Sequence, residues 1–349
     1  MGNYFTNVGN EYELVCTPNS LDAAAMRKRA ASAIPADGYS YTERQCVIQR
    51  PVHREAVTCL AAVRPGVVAS GGRDSMVALT NIDTGECLRR WTGHEKEVTK
   101  VAYRSAGGRN VLLSGSRDCT IGMWDFKTTT QAQRVLQAHQ FVVSGLQVLA
   151  KNQFVSGSRD NTVKLWDYET GKLLMSRTQQ RNLVTHIAAA RSDAFLAQTS
   201  EDKELKLWDP RDLSLIHCFP KKQQLQMHCD LWDIRQRRLL RELIGHEETV
   251  NAVIFLDQQI TCKRLLLSVS NDHSVRVWSV DDGVCLWNEY VPSGGDLTSA
   301  IAFDDGNIVV AGLNACLCHL RLLGRAGRPM LHTVSLQVQP CHSTSTFDF

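Results

Sequence analysis

Three tryptophans open near-identical phrases at a constant interval: Met123-Trp124-Asp125, Leu165-Trp166-Asp167 and Leu207-Trp208-Asp209 stand 42 residues apart. Self-similarity at a fixed period of roughly 20 to 50 residues marks a chain built from repeated supersecondary units, each too small to bury its own apolar face. The register continues in both directions. Leu231-Trp232-Asp233 and Val277-Trp278-Ser279 lie downstream, Thr80 lies 44 residues before Trp124, and Leu320 lies 42 after Trp278. A fold without internal repetition cannot accommodate such a pattern.

Two further markers keep step with the tryptophans. Gly93-His94, Ala138-His139 and Gly245-His246 precede Trp124, Trp166 and Trp278, and His53 precedes Thr80. Between them come Ser-Gly-Ser-Arg-Asp at 114–118 and 156–160, Gly-Gly-Arg-Asp at 71–74, Thr-Ser-Glu-Asp at 199–202 and Val-Ser-Asn-Asp at 269–272. Thr162-Val163-Lys164-Leu165-Trp166 alternates polar and apolar residues, the period of a strand. Asp83-Thr84-Gly85, Glu169-Thr170-Gly171 and Asp282-Gly283 read as tight hairpins. Four short strands in about 42 residues is the pattern of a propeller blade.

The order Gly-His, Ser-x-x-x-Asp, Trp-Asp, carried over roughly residues 40–322, resembles the WD-repeat family. The resemblance implies an all-β fold: a WD-repeat β-propeller of seven repeat units, anchored at Thr80, Trp124, Trp166, Trp208, Trp232, Trp278 and Leu320. It also implies a buried hydrogen-bonded tetrad in each full repeat, here His94, Ser114, Asp118 and Trp124, then His139, Ser156, Asp160 and Trp166. Because these histidines and aspartates recur at the repeat period, a structural role is expected for them rather than catalysis or metal binding. The family commonly closes its ring with an N-terminal strand. Tyr41–Gln49 is the favoured candidate here, and Met330–Val338 is its rival. The domain reading is a flexible N-terminal arm over 1–38 with a short helix at Ser20–Ile34, a propeller over 39–325, and a C-terminal tail over 326–349.

The fifth unit departs from the period, since Trp208 and Trp232 are only 24 residues apart. Residues 220–230 would have to supply two strands, yet at about 3.3–3.6 Å per residue they reach across one strand and only partly back. A truncated fifth blade lacking its second strand is expected. Either a splice form or gene-model omission, or a natural six-and-a-half-blade ring, accounts for it, and this region should be the first to melt or to be cut.

Composition narrows the function. The formal net charge of +3, with 21% charged and 43% hydrophobic residues, gives no basic excess of the kind nucleic-acid binders carry. No apolar run approaches the roughly 18 to 20 residues of a spanning helix. The 12 cysteines sit singly in strand-like runs such as Thr58-Cys59-Leu60, and no secretory signal opens the chain, so reduced thiols in an intracellular protein are expected. No Gly-x-x-x-x-Gly-Lys phosphate loop, His-Glu-x-x-His or Gly-x-Ser-x-Gly elbow is present. Cys316-x-Cys318-His319 falls in an alternating strand whose neighbours point to opposite faces, so no metal is expected there. The expectation is a protein with no cofactor and no enzymatic activity, monomeric within a complex.

Three features suggest where partners bind. Arg73, Arg117 and Arg159 each precede a turn aspartate, a position that by resemblance opens on the top face near the channel. They would form a basic arc suited to acidic or phosphorylated segments. The competing reading is that they pair with neighbouring acids. Trp208-Asp209-Pro210-Arg211 and Trp232-Asp233-Ile234-Arg235 resemble the boxes with which WD-repeat substrate receptors dock the adaptor of cullin-RING ubiquitin ligases, which would make Arg211 and Arg235 adaptor-docking residues. The opening Met1-Gly2-Asn3-Tyr4-Phe5-Thr6 fits N-myristoylation of Gly2, with Cys16 as a palmitoylation candidate and Arg27-Lys28-Arg29 as a lipid-facing run. Phrases such as Gly93-His94-Glu95 and Gln198-Thr199-Ser200-Glu201-Asp202-Lys203 are similar to one branch of the family, which implies a role in cilium assembly or ciliary trafficking; the expected location is the cytoplasm, at a membrane through the lipidated N-terminus or at the cilium.

Overall fold

In the computed structural model the described residues are 5–8, 12–18, 46–106, 109–126, 134–178, 183–190, 192–202, 204–219, 228–256, 264–291, 295–325 and 328–337. All regular structure among them is β, organised as seven sheets. Five are blades made from consecutive strands, a sixth adds one distant strand to four consecutive ones, and the remaining sheet is assembled from two distant parts of the chain. Blade one shows the plan: Val57–Arg64 is innermost, followed by Val67–Gly72, Val77–Asn81 and the outer Cys87–Trp91, each antiparallel to the last. Its second strand is buried along its whole length, whereas the outer strand alternates between half-buried and exposed and is buried only at Trp91. The middle strands are covered by a blade on either side, while the outer strand meets water. The predicted hairpins close on Gly85, Gly171 and Gly283, with φ of 71°, 68° and 73°, a region open to glycine without steric cost.

The core is distributed rather than central. Seven apolar clusters occupy the seven seams between neighbouring blades. In the seam of blades one and two, Ala69, Val77 and Trp91 pack with Val98, Val101 and Trp124. In the closing seam, Val57, Leu60 and Val68 meet Ile301, Val309 and Leu317. The glycine in Ser-Gly-Ser-Arg-Asp follows from this contact. A Cβ on Gly115 would lie 2.5 Å from Val143 Cγ1, and one on Gly157 2.5 Å from Ile187 Cδ1, so only glycine lets the next inner strand approach.

A second seam device repeats around the channel. Each of six inner strands bulges between its first and third residues, at Val57/Cys59, Val98/Lys100, Val143/Gly145, Val184/His186, Val250/Ala252 and Leu297/Ser299. A bulge re-aims the extra side chain. In five cases that side chain is a polar donor to the first carbonyl of the next blade's inner strand: Thr58 to Val98, Thr99 to Val143, Ser144 to Val184, Asn251 to Leu297 (2.6 Å) and Thr298 to Val57 (2.6 Å).

The expected gap in blade five is filled from elsewhere. Its third and outer strands are His228–Asp233 and Arg238–Ile244. Its innermost and second strands are Phe5–Val8 and Tyr12–Pro18, with Val15 opposite Trp232 and Thr17 opposite Asp230. The fifth blade is therefore four-stranded, not truncated, and residues 5–8 and 12–18 of the expected flexible arm are blade strands. The linker over 220–230 is too short to build two strands, and the N-terminal hairpin takes their place. Phe219 of blade four packs on Trp232 with centroids 4.9 Å apart, and Cys229, Leu231 and Leu243 join the seam with blade six.

The ring closes by the rival candidate. Arg328–Gln337 is the outer strand of blade seven, so the expected C-terminal tail begins as a blade strand. The N-terminal candidate contributes only Val47–Gln49, which adds a fifth, parallel strand outside it, with Ser335 opposite Val47. The helix expected at Ser20–Ile34, with Arg27-Lys28-Arg29, lies outside the described residues, as do Gly2 and residues 338–349.

Candidate functional site

The repeated polar residues form closed hydrogen-bond chains. In blade two, Trp124 Nε1–H donates to Ser114 Oγ (2.8 Å), the Ser114 hydroxyl to His94 Nε2 (2.6 Å) and His94 Nδ1–H to Asp118 Oδ2 (2.9 Å). Blade three repeats this with Trp166, Ser156, His139 and Asp160 at 2.8, 2.7 and 2.9 Å. This direction of donation gives every member of each chain a partner, which fixes the histidine tautomer. Both expected tetrads are thus assembled. Blade six holds a third complete one, Trp278, Ser268, His246 and Asp272, at 2.8, 2.6 and 2.8 Å. Its markers Gly245-His246 and Trp278 were visible in the sequence, but its serine lies in Leu-Ser-Val-Ser-Asn rather than a Ser-Gly-Ser phrase.

The other blades keep parts of the arrangement. His53 joins Asp74 and Ser70 (3.0 and 2.8 Å) in blade one, where Thr80 replaces tryptophan and its buried Oγ1 has no partner among the described residues. In blade four Trp208 Nε1 donates to Gln198 Oε1 (2.8 Å). In blade seven His319 Nε2 bonds Asn307 Oδ1 (3.0 Å).

Serine, histidine and aspartate also build hydrolase triads, so access decides between the two uses. Ser114, Ser156 and Ser268 are each 0% exposed, and each oxygen already accepts an indole N–H, so none of these hydroxyls is presented to a substrate. Burial alone would raise the Asp118, Asp160 and Asp272 carboxyls. Hydrogen bonds from their histidine, from Thr120, Thr162 or Ser274, and from backbone amides outweigh it and hold all three well below the usual carboxylate range. Burial lowers His246, partly offset by Asp272, which favours the neutral ring the chain requires.

The three arginines do lie on one face. Each sits in the turn between second and third strands, at the edge where the inner strands begin: Arg73 N–H bonds the Ala56 carbonyl, Arg117 that of Glu97 and Arg159 that of Val142. Their side chains are 54%, 60% and 55% exposed. They are also paired. Glu97 bridges Arg73 (3.7 Å) and Arg117 (3.0 Å), and Glu201 meets Arg159 (3.6 Å). The arc is therefore three cations against two carboxylates, with the acids supplied by the adjoining loop or blade. Exposed pairs of this kind are worth about 0–1 kcal/mol, so an incoming anion can displace them. Phe141, next to Val142, is 60% exposed on the same face, a feature the sequence reading missed.

Arg211 and Arg235 occupy turns between third and outer strands, which the antiparallel pairing puts on the opposite face. Arg211 is 81% exposed and bonds Asp209 Oδ1 through its Nε at 3.2 Å; Arg235 is also exposed. Cys16 is in the second strand of blade five, opposite the fully buried Leu231. Cys316 and Cys318 are in the apolar seam of blades six and seven, where burial pushes the Cys316 thiol up to about 12. Cys46, Cys59, Cys87, Cys119, Cys218, Cys229, Cys285, Cys316 and Cys318 are free thiols, and among the described residues no helix is long and apolar enough to cross a membrane.

Comparison with known proteins agrees with this geometry. The family described as WD domain, G-beta repeat matches residues 85–125, 130–167 and 237–279. The chain is similar to nuclear distribution protein PAC1-1 of Uncinocarpus reesii, 34% identical over 28% of this chain and 22% of that one. It is similar to WD repeat-containing protein 41 of Mus musculus, 33% identical over 32% of this chain and 24% of the other, and to the periodic tryptophan protein 2 homolog of Neurospora crassa, 35% identical over 26% and 10%. The chain thus spans about a quarter or less of the length of these relatives. With the repeats, the tetrads and the ring of blades in one molecule, the chain carries WD repeats in a β-propeller.

Proposed function

We propose that the protein is a non-catalytic interaction scaffold that captures an acidic or phosphorylated segment of another protein on the face bearing Arg73, Arg117 and Arg159. The observation carrying this reading is that three guanidinium groups recur at the same blade position, each more than half exposed, with exposed Phe141 beside them. Their two carboxylate partners hold them in place without neutralising the arc. An array of acidic and phosphorylated peptides tests it. Binding should weaken with salt and disappear on joint Arg73→Glu, Arg117→Glu and Arg159→Glu substitution, while the thermal melt is unchanged. Equal binding by the triple variant ends the proposal.

The proposal includes reversible membrane attachment through myristoylated Gly2, which shortly precedes the inner strand that begins at the arginine face. The family resemblance supports a ciliary setting for it. Labelled myristate should enter the native chain and not the Gly2→Ala chain; failure to label the native chain removes this part. A second reading, as substrate receptor of a cullin-RING ubiquitin ligase, is favoured by the exposure of Arg211 and Arg235 on adjacent blades of the opposite face. It requires co-purification of the ligase adaptor, lost on Arg211→Ala.

A further inference from the structure

None of the seven inner strands that line the channel, from Val57–Arg64 of blade one to Leu297–Ala302 of blade seven, contains Asp or Glu, whereas Arg64, Lys100, Arg104 and His186 are basic. Two of these four have other surroundings. Arg64 is exposed at the turn into its second strand, at the end of the channel away from the arginine face. Arg104 donates to Asp193 (2.8 Å) and to the Val148 carbonyl (3.3 Å). Lys100 and His186 share one place in the repeat, the residue just after the bulge of the inner strand. The other described bulges hold Cys59, Gly145, Ala252 and Ser299 there, all small. Small residues suit a place so close to the next blade: a Cβ on Gly145 would already lie 2.8 Å from the Ile187 amide nitrogen. Lys100 keeps some exposure although Val98 and Val101 beside it are buried, so the solvent it meets is that of the channel. Its charge is felt on both sides. Burial pushes the Cys59 thiol of blade one up to about 11, against the pull of Lys100; burial holds His186 of blade four well below its ordinary value, and Lys100 adds to this. Blade three, between them, presents only Gly145. The Lys100 ammonium makes no hydrogen bond or ion pair among the described residues, and burial lowers its own value with no carboxylate to answer it.

We infer that Lys100 is the centre of an anion-binding site inside the channel, and that its ligand is one compact oxyanion, a phosphate or carboxylate group. An enclosed cation has given up much of its hydration and gains most from a counter-charge. An ammonium meets such a group as a point charge. The acid-free wall offers an anion no repulsion and a cation no partner. His186, kept neutral by burial, adds no second charge at this depth, so the site suits a single charged group rather than a polyanion. Lys100 lies three residues beyond Glu97, whose carbonyl meets the Arg117 amide at the rim, or about 10 Å along the strand from the arginine face. The site is therefore separate from the arginine arc and does not depend on it, although an anion entering from that face passes the three guanidinium groups first and is drawn in by them.

NMR of the full chain, labelled with carbon-13 and nitrogen-15 in lysine, tests this. The Lys100 Cε signal, assigned through its loss in Lys100→Met, should shift and saturate as sodium phosphate replaces sodium chloride at constant ionic strength. Exposed Lys96, Lys151 and Lys172 should shift little and without saturation. Phosphate should also raise the melting temperature of the native chain, as any ligand of the folded state does. Lys100→Met should weaken that binding by roughly tenfold or more. The arginine arc is kept apart from this result by two controls. Lys100→Met should still capture acidic peptides on the arc, and a chain with Arg73→Gln, Arg117→Gln and Arg159→Gln should still show the phosphate shift at Lys100. N-acetyl-phosphoserine amide separates the two sources of the anion. Binding of phosphate alone supports a site for a free ion, and binding of both supports a site for a side chain delivered by a partner. A Lys100 signal that saturates with neither probe, or that moves no more than Lys96, overturns the inference. That outcome is read on the native chain and does not depend on how the variants fold.

Discussion

Replacing Ser156 by alanine in blade three, and Ser70 by alanine in blade one, should have unequal costs that follow directly from the tetrad geometry. Ser156 Oγ accepts the Trp166 indole N–H at 2.8 Å and donates to His139 Nε2 at 2.7 Å, in a place with no solvent exposure. Its removal strands a buried donor and a buried acceptor together. At about 1–3 kcal/mol for each unmet group, the loss is about 2–6 kcal/mol. Ser70 is equally buried but serves only His53 Nε2, at 2.8 Å, because Thr80 stands where a tryptophan would. Its removal strands one group and should cost about 1–3 kcal/mol. Urea unfolding followed by circular dichroism reads the difference. With a native margin of about 5–15 kcal/mol, the Ser156 variant should lose a large part of its midpoint and the Ser70 variant about half as much. Equal midpoints for the two would refute the idea that the tetrad is a chain of obligatory partners rather than a packing motif.

Three other outcomes follow. Asp118, Asp160 and Asp272 titrate lower folded than unfolded, so their contribution is complete above about pH 4 and is lost as pH falls through their folded values, while the lowered His246 acts in the same sense below about pH 6.5, so melting temperature should begin to fall below about pH 6.5 and fall more steeply below about pH 4, and a profile flat from pH 7 to pH 3 counts against the chains. Gly115→Ala should cost about 1–3 kcal/mol by forcing a methyl to 2.5 Å from Val143, and Val143→Ala in the same chain should recover part of it in urea titrations. Thr298→Val should unmake the bond to the Val57 carbonyl across the closing seam, costing about 1 kcal/mol and raising hydrogen exchange in the inner strands of blades seven and one more than in blades three and four.

What could be read from the chain alone was whatever repeats locally. The period, the strand alternation and the tetrad residues of blades two and three are each encoded within a single repeat, and they appear in the fold as read. The partners of the arginines were less legible. Glu97 lies between Arg73 and Arg117 in the chain and close in sequence to neither, and the ring, not the sequence spacing, brings it to both. The makeup of blade five was the least legible. Thr17 and its partner Asp230 are separated in the chain by all of blades one to four, and short strands such as Phe5–Val8 carry no repeat signature to tie them to the blade they complete. The closing strand was misjudged for a related reason: Val47–Gln49 pairs parallel at the rim, a role that local alternation does not distinguish from the outer strand of a blade.

The composite fifth blade also imposes an order of assembly. Phe5–Pro18 leaves the ribosome long before the strand it must pair with, His228–Asp233, which is made only after blades one to four have been synthesised. Contacts at such separation form late and slowly. Throughout that interval the hairpin is an unpaired edge, the kind of segment that recruits neighbouring chains. Nascent chains of this protein therefore carry an aggregation hazard in this early-made segment, and a chaperone that shields Phe5–Pro18 until Ile244 has emerged would raise the yield of closed rings.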